Sequence, residues 1–246
     1  MRLTILGCHS PYPGANGATA GYLLQTDEVN LLFDCGSGVI SQLLNYLPIS
    51  ELDAVFLSHY HHDHVADVGV LQYGTMLHMR MNDRVKGSLP IYGPAKPEEK
   101  GLTLDYETFT TFHEVNEESR ITIGDCTVTF LQTQHDITCY AMRIQQGDKT
   151  IVYGADSGPG TRWFPFVTGA DLFIGEGTFL EKYKPTTPTG HLSVKEAAAV
   201  AEQIGCSRFI VTHLFPAYQE SEVRSEIEGY TRGEGYVAKI GLQLHL

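Results

Sequence analysis

The sequence predicts a mixed α/β protein. Apolar runs with a period of two, which is typical of half-buried strands, recur along the 246-residue chain. In the last third these runs alternate with a helical pattern of apolar residues at Val194, Ala197, Ala198, Val200 and Ala201. Ser193 precedes this pattern and Glu196 lies in its first turn, which is the signature of a capping box. Strands that alternate with amphipathic helices indicate the α/β class.

The elements follow in order along the chain. Strands are predicted at about residues 2 to 7, 20 to 26, 30 to 34, 126 to 133, 150 to 155 and 208 to 212. Gly36 and Gly38 are expected to open a first helix, and a second helix is predicted from Val65 to about Met81. The polar stretch from Pro97 to Glu118 predicts a helix or an irregular cover.

Composition places limits on the class of protein. With 42% hydrophobic residues and no Pro-, Gly- or Ser-rich divider, the chain predicts one domain spanning residues 1–246. It has no run of about 18 apolar residues and no signal-peptide pattern, so we expect a cytoplasmic protein without a membrane segment. The five cysteines are odd in number and never spaced as C-x-x-C, which favours buried thiols over disulfides or a thiolate metal site.

The strongest functional signal is the H-x-H-x-D-H segment directly after the apolar run from Ala54 to Leu57. It offers four potential metal ligands within six residues, and these are His59, His61, Asp63 and His64. A tight turn after a strand can direct the side chains of His59 and His61 to one side and those of Asp63 and His64 to another. A catalytic zinc takes about three protein ligands and leaves one position open for water. Two ligands for each of two ions are therefore too few, and each ion needs further ligands from elsewhere in the chain.

Three residues farther along the chain are suitable partners. His135, Asp156 and His213 each follow an apolar strand and precede a loop, where rigid sheets present functional groups. Each of them alone would be interpreted as an ordinary polar loop residue. Together with the hexapeptide they become candidate metal ligands.

In this chain order the motifs resemble the metallo-β-lactamase superfamily, and the resemblance covers nearly the whole chain. It implies a four-layer αββα sandwich, in which helices flank two mixed β-sheets and the metals lie at one edge between the sheets. It also implies seven ligands: His59, His61 and His135 for the first ion, Asp63, His64 and His213 for the second, and Asp156 as the bridge. The cofactors would be two divalent ions, zinc in the first place and manganese, iron or nickel as alternatives.

Further residues are predicted to act beside the metals. The segment Gly190-His191-Leu192-Ser193 resembles the G-H-S/T segment of RNase Z and related phosphodiesterases, where an extra histidine contacts the scissile phosphate. We therefore predict His191 and Asp63 as catalytic residues, with a polar residue at a helix start as the alternative for His191.

Two acidic residues are predicted to support the ligands from behind. Asp34 ends a strand at a position where the superfamily brings an aspartate near the metal histidines, with a turn or capping residue as the alternative. Glu176 lies in the segment Gly175 to Phe179, which resembles the H-E-A-T-F stretch of the RNase Z group, although Gly175 replaces its histidine and Gly177 its alanine.

Three details narrow the chemistry that two metals could perform. Two ions about 3.5 to 4 Å apart can activate a bridging hydroxide for phosphodiesters, lactones, thioesters or β-lactams. Asp156 stands where secreted β-lactamases have cysteine, which disfavours the antibiotic hydrolases. Only 20 residues separate His135 from Asp156, so there is no room for the tRNA-binding arm of RNase Z. The net charge of −12 and the lack of a basic run also disfavour structured tRNA.

We therefore predict a phosphodiesterase that acts on a small or cyclic phosphodiester. A lactonase or thioesterase acting on a small ester is the first alternative, and a non-catalytic metal-binding protein is the second. The resemblance to RNase Z also suggests a homodimer.

Overall fold

The computed structural model describes residues 1–81, 86–95, 103–187 and 189–246. Seven of the strands within these residues form a first sheet: β1 (Arg2–Gly7), β2 (Gly21–Gln25), β3 (Asn30–Phe33), β4 (Ala54–Phe56), β5 (Leu89–Gly93), β6 (Thr110–Glu114) and β14 (Gln243–His245). The strand order is β14-β1-β2-β3-β4-β5-β6. Pairing is antiparallel from β14 to β3 and parallel from β3 to β6, so the sheet is mixed.

A second sheet repeats this plan. Its strands are β7 (Arg120–Ile123), β8 (Cys126–Gln132), β9 (Tyr140–Gln146), β10 (Lys149–Tyr153), β11 (Leu172–Glu176), β12 (Arg208–Thr212) and β13 (Glu234–Val237). The order is β13-β12-β11-β10-β9-β8-β7, antiparallel from β7 to β10 and parallel from β10 to β13. Each sheet therefore has a parallel half whose strands all end at one edge.

The helices lie on the outer faces of the two sheets. Their bounds are α1 (Val39–Leu43), α2 (His62–Val65), α3 (Val68–Arg80), α4 (Val194–Ile204) and α5 (Glu220–Ile227). Short 3-10 turns occur at Ile49–Glu51 and Glu181–Tyr183. One apolar cluster packs α1 and α3 on the first sheet, and another packs α4 and α5 on the second. The predicted αββα sandwich is confirmed.

The core between the sheets follows from the period of two. In β3, Leu31 and Phe33 belong to the central cluster, whereas Leu32 belongs to the cluster under the helices. Phe56 of the first sheet approaches Phe130 of the second, with ring centroids 6.5 Å apart. Burying a side chain of this size contributes about 1.5–3 kcal/mol, so such contacts hold the two sheets at a fixed spacing.

Most predicted elements are found within a residue or two of their expected ends. The predicted strands correspond to β1, β2, β3, β8, β10 and β12. The helix expected after Gly38 is α1, and the capping box of Ser193 and Glu196 is present at the start of α4. All five cysteines are buried free thiols. In the described part of the chain, no helix combines the length and the apolar character needed to cross a membrane.

Two expectations are wrong. The single helix predicted from Val65 to about Met81 is instead divided into α2 and α3 at Ala66 and Asp67. The Asp67 N–H donates to the Cys35 carbonyl (3.0 Å), and the Asp67 carboxylate accepts from the Ile40 N–H (3.0 Å), so these tertiary bonds interrupt the helix. The stretch predicted as helix or irregular cover contains strand β6, which pairs with β5, and its residues 97–102 lie outside the described part.

This arrangement brings the candidate site residues to one edge of the sandwich. The loops after β3, β4, β8, β10, β11 and β12 carry them, and the carboxyl ends of parallel strands meet at a common edge. Gly36 makes the close approach possible, because a Cβ atom there would lie 2.0 Å from the carbonyl oxygen of Asp63. The backbone after β3 thus packs directly against the H-x-H-x-D-H loop.

The Ser193→Ala substitution tests the start of α4, which follows His191 closely. Ser193 Oγ accepts from the Glu196 N–H and donates to Glu181, so we expect the unfolding free energy to fall by about 1–2 kcal/mol. Urea denaturation measures the change. Ser225→Ala on an exposed position of α5 is the control, expected within about 0.5 kcal/mol of wild type. An equal decrease of the unfolding free energy in both variants would contradict the role of Ser193 as the N-cap of α4.

Candidate metal centre

The H-x-H-x-D-H loop divides its side chains between two directions. His59 is fully buried just after β4, while His61 precedes the first residue of α2 and Asp63 and His64 lie within that helix. The extended backbone of His61 followed by helical turns changes the direction in which successive side chains point. His62, the remaining histidine of the loop, is exposed.

The first group of ligand candidates joins three loops, which follow β4, β8 and β10. His61 Nδ1 lies 3.2 Å from His59 Nε2 and 3.0 Å from His135 Nε2. Asp156 Oδ2 lies 3.5 Å from His59 Nε2 and 3.7 Å from His135 Nε2. One ligand atom from each of these four residues therefore falls within 4.8 Å of the others.

The second group lies beside the first. His64 Nε2 and His213 Nε2 are 3.2 Å apart, and His213 Nε2 is 3.3 Å from Asp63 Oδ2. Asp63 Oδ2 also accepts a hydrogen bond from Ser10 Oγ (2.9 Å). Burial opposes ionisation of Asp63, but its hydrogen bond with His213 and the charges of His64 and His213 lower its pKa to about 2. This carboxyl group is therefore an anionic ligand candidate.

Asp156 lies between the two groups. Its Oδ2 faces the first group, while its Oδ1 lies 3.2 Å from both His64 Nε2 and His213 Nε2. Oδ1 is buried and has no hydrogen-bond partner among the described residues. Burial opposes ionisation, but the charges of His213 and His64 hold the pKa of Asp156 well below its usual range. A buried anionic oxygen without a partner favours a cation beside it.

The protonation preferences also fit metal binding. Burial holds the pKa of His59 well below its usual range, which keeps its imidazole neutral, the form that binds metals. Burial likewise opposes protonation of His64, yet the charges of Asp156 and Asp34 raise its pKa well above the usual range. Positive charge is thus favoured between these carboxylates, and a divalent cation would supply it. The residues present fit two such ions.

Contacts behind the histidines fix which ring nitrogen faces the centre. His64 Nδ1 lies 2.8 Å from Asp34 Oδ2, and Tyr153 Oη donates to the same oxygen (2.5 Å). Ser58 donates both its N–H and its hydroxyl to Asp34, so the hydroxyl oxygen is left to accept from His59 Nδ1 (2.9 Å). Asp34 therefore lies where a carboxylate would orient metal-binding histidines.

The later histidines have equivalent contacts. His135 Nδ1 lies 3.0 Å from the Gly190 carbonyl oxygen, which accepts from it. A Cβ atom on Gly190 would approach that same Nδ1 to 2.8 Å, so glycine is needed for this contact. Thr178 Oγ1 donates to Glu176 Oε2 (2.5 Å) and is therefore left to accept from His213 Nδ1 (2.9 Å). In both cases Nε2 remains directed at the centre.

His191 stands at the open side of this cluster. Its Nδ1 lies 3.0 Å from Glu176 Oε1 and 3.8 Å from Asp156 Oδ2, and its ring is stacked on His213 with centroids 5.6 Å apart. The side chain is 20% exposed, in contrast to the fully covered His135. Burial opposes protonation of His191, but the charge and hydrogen bond of Glu176, with the charge of Asp156, raise its pKa to about 9.

The sequence did not single out four residues that contact the ligand candidates or Asp34 behind them: Ser10, Ser58, Tyr153 and Thr178. Ser58 and Thr178 stand inside or beside the motifs, so their position offered a signal. Ser10 lies far from the motifs along the chain. Tyr153 lies in the predicted strand before Asp156, but no local pattern indicates that its hydroxyl contacts Asp34. The aromatic residues Trp163 and Phe166, in contrast, pack in the cluster under α4 and α5.

Comparisons with known proteins agree with this geometry. A model of the beta-lactamase superfamily domain matches residues 29–214. The "Probable metallo-hydrolase YhfI" of Bacillus subtilis (strain 168) is 41% identical over 98% of both chains. The crystal structure of YhfI matches with a TM-score of 0.91 at 40% identity, over 99% of this chain and 98% of that one. The ribonuclease Z of Methanopyrus kandleri is 24% identical over 91% of this chain and 90% of its own.

The chain therefore belongs to the metallo-β-lactamase superfamily. Within it, the protein is a metal-dependent hydrolase.

The His61→Ala substitution tests the first ligand group. Because His61 Nδ1 lies within 3.2 Å of the ligand atoms of His59 and His135, we expect loss of the first ion. Thermal stability should fall with it, since metal binding is coupled to folding. Metal analysis and thermal unfolding with and without added Zn²⁺ measure both effects. His62→Ala, an exposed neighbour in the same loop, should retain wild-type metal content. Unchanged metal in His61→Ala would contradict the assignment.

The Asp34→Asn substitution tests support from behind the ligands. Loss of the charge that faces His64 Nδ1 should weaken metal binding by about 10- to 100-fold while the fold persists. Competition with a chelating dye measures the affinity, and circular dichroism checks the fold. An affinity equal to that of the wild type would show that Asp34 serves only the turn after β3.

Proposed function

We propose that this protein is a dinuclear metal-dependent phosphodiesterase that acts on a small or cyclic phosphodiester. The observation that carries the proposal is the position of His191, whose imidazole stands beside the ligand cluster with Glu176 behind it. Histidine and carboxylate ligands alone do not distinguish zinc from other divalent metals. We propose zinc, with manganese, iron or nickel as alternatives.

The proposed ligands are the seven residues that converge at the sheet edge, namely His59, His61, Asp63, His64, His135, Asp156 and His213. Two bound cations would lower the pKa of a shared water and stabilise negative charge on the substrate oxygens. Two of the proposed ligands are carboxylates. The Asp63 side chain is 10% exposed, whereas that of Asp156 is 3% exposed. The Asp63 carboxylate is therefore the more accessible of the two, and we propose a catalytic role for it.

His191 supplies what the metal ligands lack, which is an N–H donor at the open side. Because Nδ1 is engaged by Glu176 Oε1, we infer that Nε2 meets the substrate oxygen. The negative charge of Glu176 favours the cationic imidazole, and a cation can hold a phosphate oxygen or donate a proton to the leaving oxygen. The non-bridging oxygens of a phosphodiester are anionic, whereas the carbonyl oxygen of a lactone or thioester is neutral, so a cationic imidazole favours the phosphodiester.

Charge and size favour a small substrate. The ribonuclease Z relative is by its name an enzyme that acts on RNA, and RNA is a phosphodiester. This chain has a net charge of −12 and only 20 residues between His135 and Asp156. We therefore place structured tRNA outside the proposed substrates. A lactonase or thioesterase is the second candidate, because the same ligand cluster would serve a carbon ester.

The His191→Ala substitution separates these candidates. With bis(p-nitrophenyl) phosphate and Zn²⁺ or Mn²⁺, we expect kcat to fall by about 10²- to 10⁴-fold because the donor to the phosphate is lost. Metal content should stay at the wild-type value, which metal analysis checks. His62→Ala is the matched control and should keep the wild-type rate.

Two results would contradict the proposal. An unaltered kcat in His191→Ala would remove the assigned role of this residue. A wild-type protein with both metal sites filled that hydrolyses lactones or thioesters but no phosphodiester would favour the carbon-ester hydrolase.

A further inference from the structure

An aromatic groove opens beside His191. It has a volume of about 490 Å³ and is lined by Phe179, Tyr183, Phe215, Ala217, Tyr218 and Glu222. Four of these six residues are aromatic, whereas aromatic residues make up 10% of the chain. A wall of this composition presents flat, polarisable faces, and such faces are suited to a planar ligand.

The groove and the ligand cluster share one chain segment. The Phe179 ring stands edge-on to the His191 ring, with centroids 6.3 Å apart. The preceding residue, Thr178, contacts His213 through its hydroxyl and accepts a hydrogen bond from Tyr218 Oη at its carbonyl oxygen (3.2 Å). A molecule whose phosphate contacts His191 would therefore reach the groove with the group attached to that phosphate.

The rings of the groove are in contact with one another but incompletely covered. Tyr183 and Tyr218 are nearly parallel with centroids 6.1 Å apart, and Phe215 meets Tyr218 edge-on at 5.5 Å. Tyr12 extends the row through an edge contact with Phe215 at 5.8 Å. Tyr12 and Tyr183 are nevertheless 52% and 59% exposed. Exposed aromatic faces grouped beside a reactive centre indicate a binding surface.

We propose that this groove binds the nucleobase of a nucleoside phosphodiester, an inference that rests on the proposed phosphodiesterase function. One sugar ring joins the phosphate of a nucleotide to its base, so a base site must adjoin the phosphate site, as the groove adjoins His191. Every base has a π-face that stacks on aromatic side chains.

Glu222 favours a base over a purely apolar group. Its carboxylate accepts from Lys182 Nζ (2.6 Å) and from the Gln219 N–H (3.4 Å), and a carboxylate has about four acceptor positions. The remaining positions can accept from an exocyclic amino group, as carboxylates do from cytosine. The groove therefore combines stacking faces with an acceptor at its wall.

The test compares two ligands that differ only in the base, adenosine 5′-monophosphate and ribose 5-phosphate. Calorimetry with the zinc-loaded protein should show adenosine monophosphate binding at least about tenfold more tightly, the lower range expected for one stacked base. Equal affinities would overturn the inference, because phosphate and sugar alone would then account for binding.

Substitutions in the groove test whether the groove is the part of the protein that distinguishes the two ligands. Tyr183→Ala and Phe215→Ala should each reduce the affinity ratio of the two ligands by several fold, while metal content stays at the wild-type value. Tyr73→Ala is the matched control, since Tyr73 is 60% exposed on α3 and its ring contacts Tyr106 instead of the groove. A ratio that is unchanged in both groove variants would overturn the assignment of the base to this groove.

Two further outcomes keep the inference separate from the proposed function. Hydrolysis of bis(p-nitrophenyl) phosphate without any preference for adenosine monophosphate would overturn the base site and leave the phosphodiesterase standing. The protein could instead prefer adenosine monophosphate, lose that preference in Tyr183→Ala, and hydrolyse no phosphodiester. This result would support the base site and overturn the proposed phosphodiesterase function. If Tyr183→Ala converts a dimer to a monomer at an unchanged ratio, the groove is a subunit contact and the inference fails.

Discussion

The contact on which the site depends is that of the buried Asp156 carboxylate with imidazoles on both of its sides. Its two oxygens face different histidine groups, and one of them has no hydrogen-bond partner among the described residues. A buried carboxylate in this situation requires compensating positive charge, because burial of an unpaired anion is strongly unfavourable. The two groups of ligand candidates are therefore parts of one electrostatic unit, and a cation in either group would stabilise the same aspartate.

The fold makes this unit possible by placing strand ends at a common edge. The strands in the parallel halves of both sheets end there. Strands β8 and β10 both pair antiparallel with β9 and therefore run in the same direction, which places His135 beside Asp156. Asp34 then ties the two sheets together at the site, because it accepts from Ser58 of the first sheet's loop and from Tyr153 of the second sheet. Rigid ligands result from contacts between strands that are distant in sequence.

The segment from Glu176, the last residue of β11, to Phe179 makes several of the contacts of the site. Glu176 supports His191, Thr178 supports His213, and Phe179 forms a wall of the aromatic groove. The contacts behind His191 and His213 and one wall of the groove thus lie on neighbouring residues of one strand end. A change in this segment is expected to alter metal geometry and substrate preference together, which makes exposed groove residues such as Tyr183 better probes of recognition than Phe179.

The sequence by itself determined the fold class, the positions of strands β1, β2, β3, β8, β10 and β12, and the side chains that form the candidate ligand cluster. Strand period and ligand spacing are local properties, so His59 to His64 and the residues after β8, β10 and β12 could be identified from the chain alone. Tertiary contacts decided the rest. The break at Asp67 arises from bonds to Cys35 and Ile40, and Tyr153 reaches Asp34 across 119 positions of sequence. The groove unites residues 179–183 with 215–222. No local pattern encodes such contacts, because they join segments that are distant along the chain and meet only in the folded protein.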